Sequence, residues 1–316
     1  MEGEVPLRHA RTRRDVTADG PDERMRAILA EAGVRFGVPV GDAELLWSHS
    51  NALYAVPAES LVIRIATNPH ALPRVISSVA VTRWLDGQGY PCVVPADLPG
   101  HPRVIRGHVV SLWRYVETVT APEPGGDDLG RLLHRLHHLD PRPVRDLGEF
   151  TDPLAGVAAA VTRSNLPGRD RTWLEGRIGD LRAAWNGLAP PHPPTLIHGD
   201  AHPANLMRAA SGRVILGDWD HVALGSREWD LAQIHYTRRR FDHPGAAEVE
   251  AFTRAYRWDV REWPGLETLI AIREISGLSA FIRAAAVREP ARREVAHRLA
   301  ALRDGDTEAR WHPPGG

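Results

Sequence analysis

Asp200, Asn205 and Asp218 are the residues of this chain whose types and spacing best suit a chemical task. Asp200 and Asn205 belong to Ile197-His198-Gly199-Asp200-Ala201-His202-Pro203-Ala204-Asn205, and Asp218 to Gly217-Asp218-Trp219-Asp220. Thr195 to Ile197 is a short apolar run that stops at His198-Gly199, so Asp200 begins a loop. Pro203 lacks an N–H and has a fixed φ, which keeps that loop from becoming regular helix. Asp200 and Asn205 can then converge on one point. Arg213 to Leu216 reads as a strand, and Gly217 is expected to free the backbone so that Asp218 turns back over the same point. An amide oxygen and a carboxylate oxygen suit Mg2+, which takes few protein ligands and completes its shell with phosphate and water. Asp200, not needed by the metal, is left to orient a hydroxyl and accept its proton. These are the groups that kinase-type phosphoryl transfer requires.

Two other readings use the same residues. On a strand, His198, Asp200 and His202 would share one face and could ligate zinc or iron, as in a metal-dependent hydrolase. Gly199 and Pro203 favour a loop instead, and that reading leaves Asn205 and Asp218 without a role. The other is a catalytically weak nucleotide-binding or regulatory protein, which has no need of all three groups.

Composition narrows the field. The chain has 316 residues, enough for one large or two modest domains, with a hydrophobic fraction of 43% and a charged fraction of 25%, as in ordinary globular proteins. Its net charge of -1 gives no basic footprint for nucleic acid. No apolar run approaches the ~20 residues of a membrane span. Met1 to Arg14 is polar and Arg-rich, so no secretory signal is expected. The single cysteine, Cys92, excludes an internal disulfide and suits a reducing cytoplasm. All 39 basic residues other than histidine are arginine. That excludes a Walker A phosphate loop and lysine Schiff-base chemistry.

The periodicity predicts the elements that hold the site. Residues 1–20 are expected to form a flexible tail, followed by a helix from Asp22 bearing Met25, Ile28, Leu29 and Ala32 on one face. Leu53 to Val56 and Leu61 to Ala66 read as an antiparallel hairpin around Pro57-Ala58-Glu59. In its second strand Leu61, Ile63 and Ile65 share one face, so Arg64 lies on the other with Val62 and Ala66. A helix ending near Gly87 and strands at Val104 to Ile105 and Val109 to Val116 follow. Thr120 to Asp128, rich in proline, glycine and acid, reads as a joint to a mainly helical part. There Leu129 to Leu139 and Trp173 to Trp185 trace amphipathic helices, and helical periodicity returns from Asp230. Residues 304–316 are expected to be a second flexible tail. Arg238-Arg239-Arg240 reads as a solvated helix face, and Trp229, Trp258 and Trp263 are candidates to line an acceptor pocket.

His198-Gly199-Asp200 with Asn205, Leu216-Gly217-Asp218-Trp219 and Gly225-Ser226-Arg227-Glu228-Trp229-Asp230-Leu231-Ala232 resemble the aminoglycoside phosphotransferase family. The resemblance implies an α+β, two-lobed protein-kinase-like fold, with a small antiparallel β-sheet N-lobe and a larger, mainly helical C-lobe. It places the nucleotide-binding lobe at 21–117 and the catalytic and acceptor-binding lobe at 118–303. It implies ATP or GTP with Mg2+, and a small hydroxylated acceptor such as an antibiotic or metabolite. By this carry-over Asp200 is catalytic, Asn205 and Asp218 hold the metal, and His198 and Asp230 brace the loop. Ser50 and Asn51 fall in the turn that covers the nucleotide, Arg64 at the phosphate-contacting strand position, and Tyr115 and Val116 in the hinge that meets the adenine.

The chain departs from the pattern at three places. The covering turn, Ser48 to Asn51, contains no glycine. Arg64 stands where many relatives have lysine. Asn68 to Leu85 contains no acidic residue, and Ser78 stands where a glutamate should pair the strand cation. That counter-charge is either missing or supplied from elsewhere.

Overall fold

Strand alternation between residues 44 and 114 builds a sheet with two buried faces, and this decides where Arg64 points. The computed structural model describes residues 23–48, 51–141, 144 and 147–313; the expected tail at 1–20 and Ser50 lie outside the described residues. Helix α1 (Glu23–Phe36) precedes β1 (Glu44–Ser48), β2 (Asn51–Val56), β3 (Leu61–Ala66), α2 (Leu72–Gly87), β4 (Arg103–Ile105) and β5 (His108–Arg114). The strands form one antiparallel sheet in the order β1-β2-β3-β5-β4. A 3-10 turn at Pro57–Glu59 makes the β2–β3 connection. Ile63 and Ile65 pack with Tyr54, Val110 and Leu112 under Ile28, Leu29 and Ala32 of α1. Val62 and Ala66 belong to the other face, with Leu53, Val109 and Trp113, against Val75 and Val79 of α2. Side chains alternate with period two, so Arg64 is on this second face, which continues into the core of the rest of the chain.

The chain leaves the five-stranded sheet at Arg114 and reaches β6 (Thr118–Val119), which pairs with a different sheet. Helices α3 (Gly126–Leu136), α4 (Ala155–Thr162) and α5 (Gly168–Asn186) follow, then β7 (Thr195–Ile197), β8 (Leu206–Ala209), β9 (Val214–Leu216) and β10 (Ala223–Gly225). The order is β6-β8-β9 in one small sheet and β10-β7 in another. The remainder is helical: α6 (Arg227–Phe241), α7 (Ala246–Tyr256), α8 (Leu266–Ser276), α9 (Leu278–Ala284) and α10 (Glu289–Asp304). Helix α3 lies so close to α7 that a Cβ on Gly126 would sit 2.2 Å from the Glu248 carbonyl oxygen. Its leucines at 129, 132, 133 and 136 are buried on the opposite side from solvent, as their spacing predicts.

Several elements escape the periodicity. Helix α4, Ala-Gly-Val-Ala-Ala-Ala-Val-Thr, is nearly uniform in polarity and has no amphipathic stripe to read. Strands β8 and β10 are short, and what makes them strands is their pairing with distant β9 and β7. The expected loose end corrects most clearly. In 304–313 Trp311 is 3% exposed, its N–H donates to the Arg240 carbonyl, and the Arg240 and Arg298 guanidiniums lie 4.5 and 4.7 Å from its ring centroid. One buried tryptophan, packed against two arginines, anchors the segment. The arginine run at 238–240 is likewise not a solvated face. Arg240 is buried against Glu274, Arg239 pairs with Glu267 and Arg238 with Asp242.

Candidate active site

β7 delivers the chain to His198 and then stops, because Gly199 adopts φ +86°, a left-handed conformation that favours glycine. A Cβ there would also fall 2.2 Å from the His221 carbonyl oxygen. The turn therefore needs glycine twice over, and it swings Asp200 out of the strand direction. Pro203–Asn205 makes a single 3-10 turn before β8. β8 and β9 pair with Leu206 opposite Leu216, and one further bond, Gly217 N–H to the Asn205 carbonyl at 2.9 Å, extends the ladder. Asn205 and Asp218 are thus the residues at the open end of one hairpin. The backbone reversal predicted at Gly217 occurs one residue later, because Asp218 itself has φ +56°. Aspartate tolerates that region better than most residues.

Asn205 is fully buried, and its Nδ2 donates to the Asp200 carbonyl at 2.8 Å. Its Oδ1 is buried without a hydrogen-bond partner among the described residues. A buried carbonyl oxygen left unpaired is costly, and one placed beside Asp218 and Asp200 suits a hard cation. The residues present therefore fit a hard divalent cation, which Asn205 and Asp218 could hold.

His198 and Asp230 grip the loop from beneath. The His198 ring uses both nitrogens: Nε2 is 2.8 Å from the Gly217 carbonyl, and the Asp200 N–H donates to Nδ1 at 3.3 Å. Burial lowers the His198 pKa, which keeps the ring neutral. A ring so occupied cannot be one of three metal ligands, and among the described residues no group of three His, Cys, Asp or Glu could hold a metal ion. His202 is buried, with Nε2 3.8 Å from Asp200 Oδ2. The three-ligand hydrolase reading has no geometric basis here.

Asp230, at the start of α6, accepts from the His198 N–H at 2.7 Å and the Gly199 N–H at 2.8 Å. Its Oδ2 also meets His137 Nε2 at 3.1 Å, and His137 Nδ1 meets the Tyr256 hydroxyl at 2.8 Å. Burial pushes the Asp230 carboxyl up, but the hydrogen bonds it receives from His137 and from the His198 backbone help to outweigh it, and its pKa lies below the usual range. His137 caps the end of α3, and its partners come from α6 and α7, which the local leucine pattern does not reveal.

The Asp200 carboxylate is one-third open, with 34% of the side chain exposed. Burial raises its pKa, but His202, His221 and Arg273 outweigh that, and the group stays below its ordinary value. It is an anion at neutral pH, as a hydroxyl-orienting base must be.

The strand cation finds a counter-charge that spacing alone could not supply. Arg64 Nη1 donates to Asp220 Oδ1 at 2.6 Å, and Nη2 bonds Oδ2, in a two-pronged pair. Burial raises the Asp220 pKa, and the Arg64 charge and hydrogen bond reverse that, leaving it lowered. Ser78, in the expected glutamate's place, is buried in α2. Asp220 belongs to Gly217-Asp218-Trp219-Asp220, so the counter-ion of Arg64 and Asp218 share one loop. Asn51 begins β2 opposite Ala66, and Tyr115 and Val116 lie in the connector between β5 and β6, where the Tyr115 N–H donates to the Ser60 carbonyl. Trp229 is buried, and its Nε1 donates to the Gly199 carbonyl at 2.8 Å. Trp263 is likewise engaged, with Nε1 bonded to the Ala189 carbonyl. Sequence reasoning missed Asp220, Gln233 and Arg273. Of these only Asp220 carried a signal, as an acid beside the metal ligand when the helix lacked one.

A family model described as the phosphotransferase enzyme family matches residues 42–269. No curated protein matches the sequence. Among solved structures, amicoumacin kinase in complex with AMP-PNP, Ca2+ and Ami has a TM-score of 0.72 at 16% identity, covering 92% of this chain and 96% of that one. Choline kinase LicA from Streptococcus pneumoniae gives 0.62 at 16%, covering 88% and 99%. Spectinomycin phosphotransferase, in complex with ADP and spectinomycin, gives 0.59 at 12%, covering 89% and 93%. These likenesses show the two-lobed protein-kinase-like fold.

Proposed function

The chain belongs to the phosphotransferase enzyme family, and from that membership we propose that it transfers the γ-phosphoryl group of ATP or GTP to a hydroxyl of a small molecule. The observation that carries this is the end of the β8–β9 hairpin, where Asn205, its Oδ1 buried without a partner among the described residues, and Asp218 come together, and Asn205 Nδ2 binds the backbone carbonyl of Asp200. Mg2+ held by Asn205 and Asp218 would offset negative charge on the phosphate oxygens. Asp200 orients the acceptor hydroxyl in line and takes its proton. Arg64, held in place by Asp220, faces the phosphates. Most of the rate enhancement in this chemistry is positioning and electrostatics.

We take 21–117 as the nucleotide-binding lobe and 118–303 as the catalytic and acceptor-binding lobe, with Asn51, Tyr115 and Val116 on the nucleotide. The weak-binder reading was motivated by the missing glutamate, and Asp220 opposite Arg64 removes that motive. No helix among the described residues is long and apolar enough to cross a membrane, and the lone cysteine is buried; both fit a cytoplasmic enzyme.

The acceptor is an antibiotic or another hydroxylated metabolite. The three solved neighbours are named for three different acceptors, so the fold does not choose among them. Between Gly225 and Ile275 nine acidic residues face eight arginines, a balance that favours a neutral or zwitterionic acceptor over a polycation. The test is nucleotide consumption against a panel of hydroxyl compounds, with Asp200→Ala as control. Turnover that appears with an acceptor and vanishes in the variant supports the reading. Consumption indifferent to Asp200 sinks it.

A further inference from the structure

Arg273 of α8 is a buried cation whose hydrogen bonds among the described residues go to neutral groups. Nη1 donates to Gln233 Oε1, and Nη2 donates to the Trp229 carbonyl at 2.6 Å. The guanidinium lies 3.9 Å from the centroid of the Trp229 ring. Among the described residues it makes no ion pair, although desolvating a guanidinium without a carboxylate against it is costly. Burial lowers its pKa to about 10, so it stays charged at neutral pH.

Both of its contacts lead to the catalytic loop. Trp229 Nε1 donates to the Gly199 carbonyl at 2.8 Å. Gln233 Nε2 donates to Asp200 Oδ1 at 3.3 Å. A guanidinium offers only donors. The Gln233 amide must therefore turn its oxygen to Arg273, which leaves its NH2 group facing Asp200. Without the arginine the amide is free to turn over and set its oxygen against the carboxylate.

We infer that Arg273 and Gln233 are positioning residues for Asp200: Arg273 fixes the orientation of the Gln233 amide, and Gln233 holds the Asp200 carboxylate toward the acceptor. This rests on the phosphotransferase reading. An arginine serving only as packing would tie α6 to α8 and have no effect on turnover beyond its effect on folding.

The test uses full-length protein with an acceptor found in the screen, and measures kcat, KM for ATP and melting temperature. Gln233→Leu is expected to lower kcat about 10- to 100-fold, with KM for ATP unchanged, because misplacing a reacting group costs turnover rather than nucleotide binding. Arg273→Lys, which still donates to the Gln233 oxygen, is expected to keep more of kcat than Arg273→Met. A folded Gln233→Leu with wild-type kcat overturns the inference, as does Arg273→Met matching Arg273→Lys. If Arg273→Met does not fold, Gln233→Leu decides alone, since it leaves the Arg273 bond to Trp229 in place. Wild-type turnover that survives Asp200→Ala refutes the phosphotransferase reading instead. The relay is then judged from crystal structures of wild type and Gln233→Leu: an unmoved Asp200 carboxylate overturns it, and a rotated one supports it.

Discussion

Arg64 on β3 and Asp220, two residues past Asp218, form a two-pronged guanidinium–carboxylate pair across 156 positions of chain. With side chains 11% and 17% exposed, the pair fastens the five-stranded sheet to the loop that follows β9. It does the work of a strand cation's counter-ion without a helix-borne glutamate, and it ties the cation to the loop that carries Asp218.

Removing one partner of such a pair should cost more than removing both, because the survivor is left desolvated. Asp220→Leu and Arg64→Met are each expected to lower unfolding free energy by about 2–4 kcal/mol, with the double variant well short of the sum. Urea unfolding of the four proteins in a double-mutant cycle measures this. Strictly additive losses would show that the pair does not couple.

Asp218 and His202 are expected to differ in their effect on turnover. On the proposed function, Asp218→Ala removes a carboxylate that would hold the cation offsetting the phosphate charge, and kcat should fall about 100-fold or more. His202 is buried beside Asp200 but 3.8 Å from its carboxylate, and His202→Ala should cost about tenfold or less. A worse defect in His202→Ala would reverse the assignment of roles.

The C-terminal segment should contribute to stability. Trp311→Ala empties a slot between Arg240 and Arg298, and large aromatic truncations in cores cost about 3–5 kcal/mol. Thermal melting checks it; an unchanged melting temperature would mean that the segment is the loose end its composition suggested.

Acidification should destabilise the fold well before the carboxylates titrate. Burial, reinforced by the charge of Arg261, lowers the His235 pKa from 6.5 to about 4, and burial lowers those of His137 and His198 as well. The unfolded chain therefore takes up these protons first. Stability is complete above the unfolded value near 6.5 and is lost as pH falls toward about 4, by at most about 1.4 kcal/mol per pH unit for each group. His235→Leu should flatten the melting temperature between pH 6.5 and 4 relative to wild type. Parallel curves would show that His235 does not titrate in that window.

Much of the site was legible because its logic is local. Asp200 and Asn205 lie five residues apart in a loop bounded by glycine and proline, and the geometry of that loop follows from those residues alone. The face of Arg64 followed from period-two alternation. The role of His137 is not legible from its helix, which shows only leucine spacing, because its partners, Asp230 and Tyr256, lie 93 and 119 positions away.

By itself the sequence determined the chemistry on offer: a lone carboxylate, an amide and a second carboxylate at kinase spacing, a strand arginine in a chain without lysine, and the elements that carry them. Only the tertiary structure decided what surrounds those groups. It chose Asp220 as the counter-ion of Arg64, set Gln233 and Arg273 behind Asp200, left the buried Asn205 Oδ1 without a partner among the described residues, and packed Trp311 against Arg240 and Arg298. The physical reason is one of range. Backbone preference and side-chain alternation act over a few residues and are written in the order of types. Hydrogen bonds and ion pairs between buried groups depend on which distant segments desolvate the same volume, and that is settled only when the cores close.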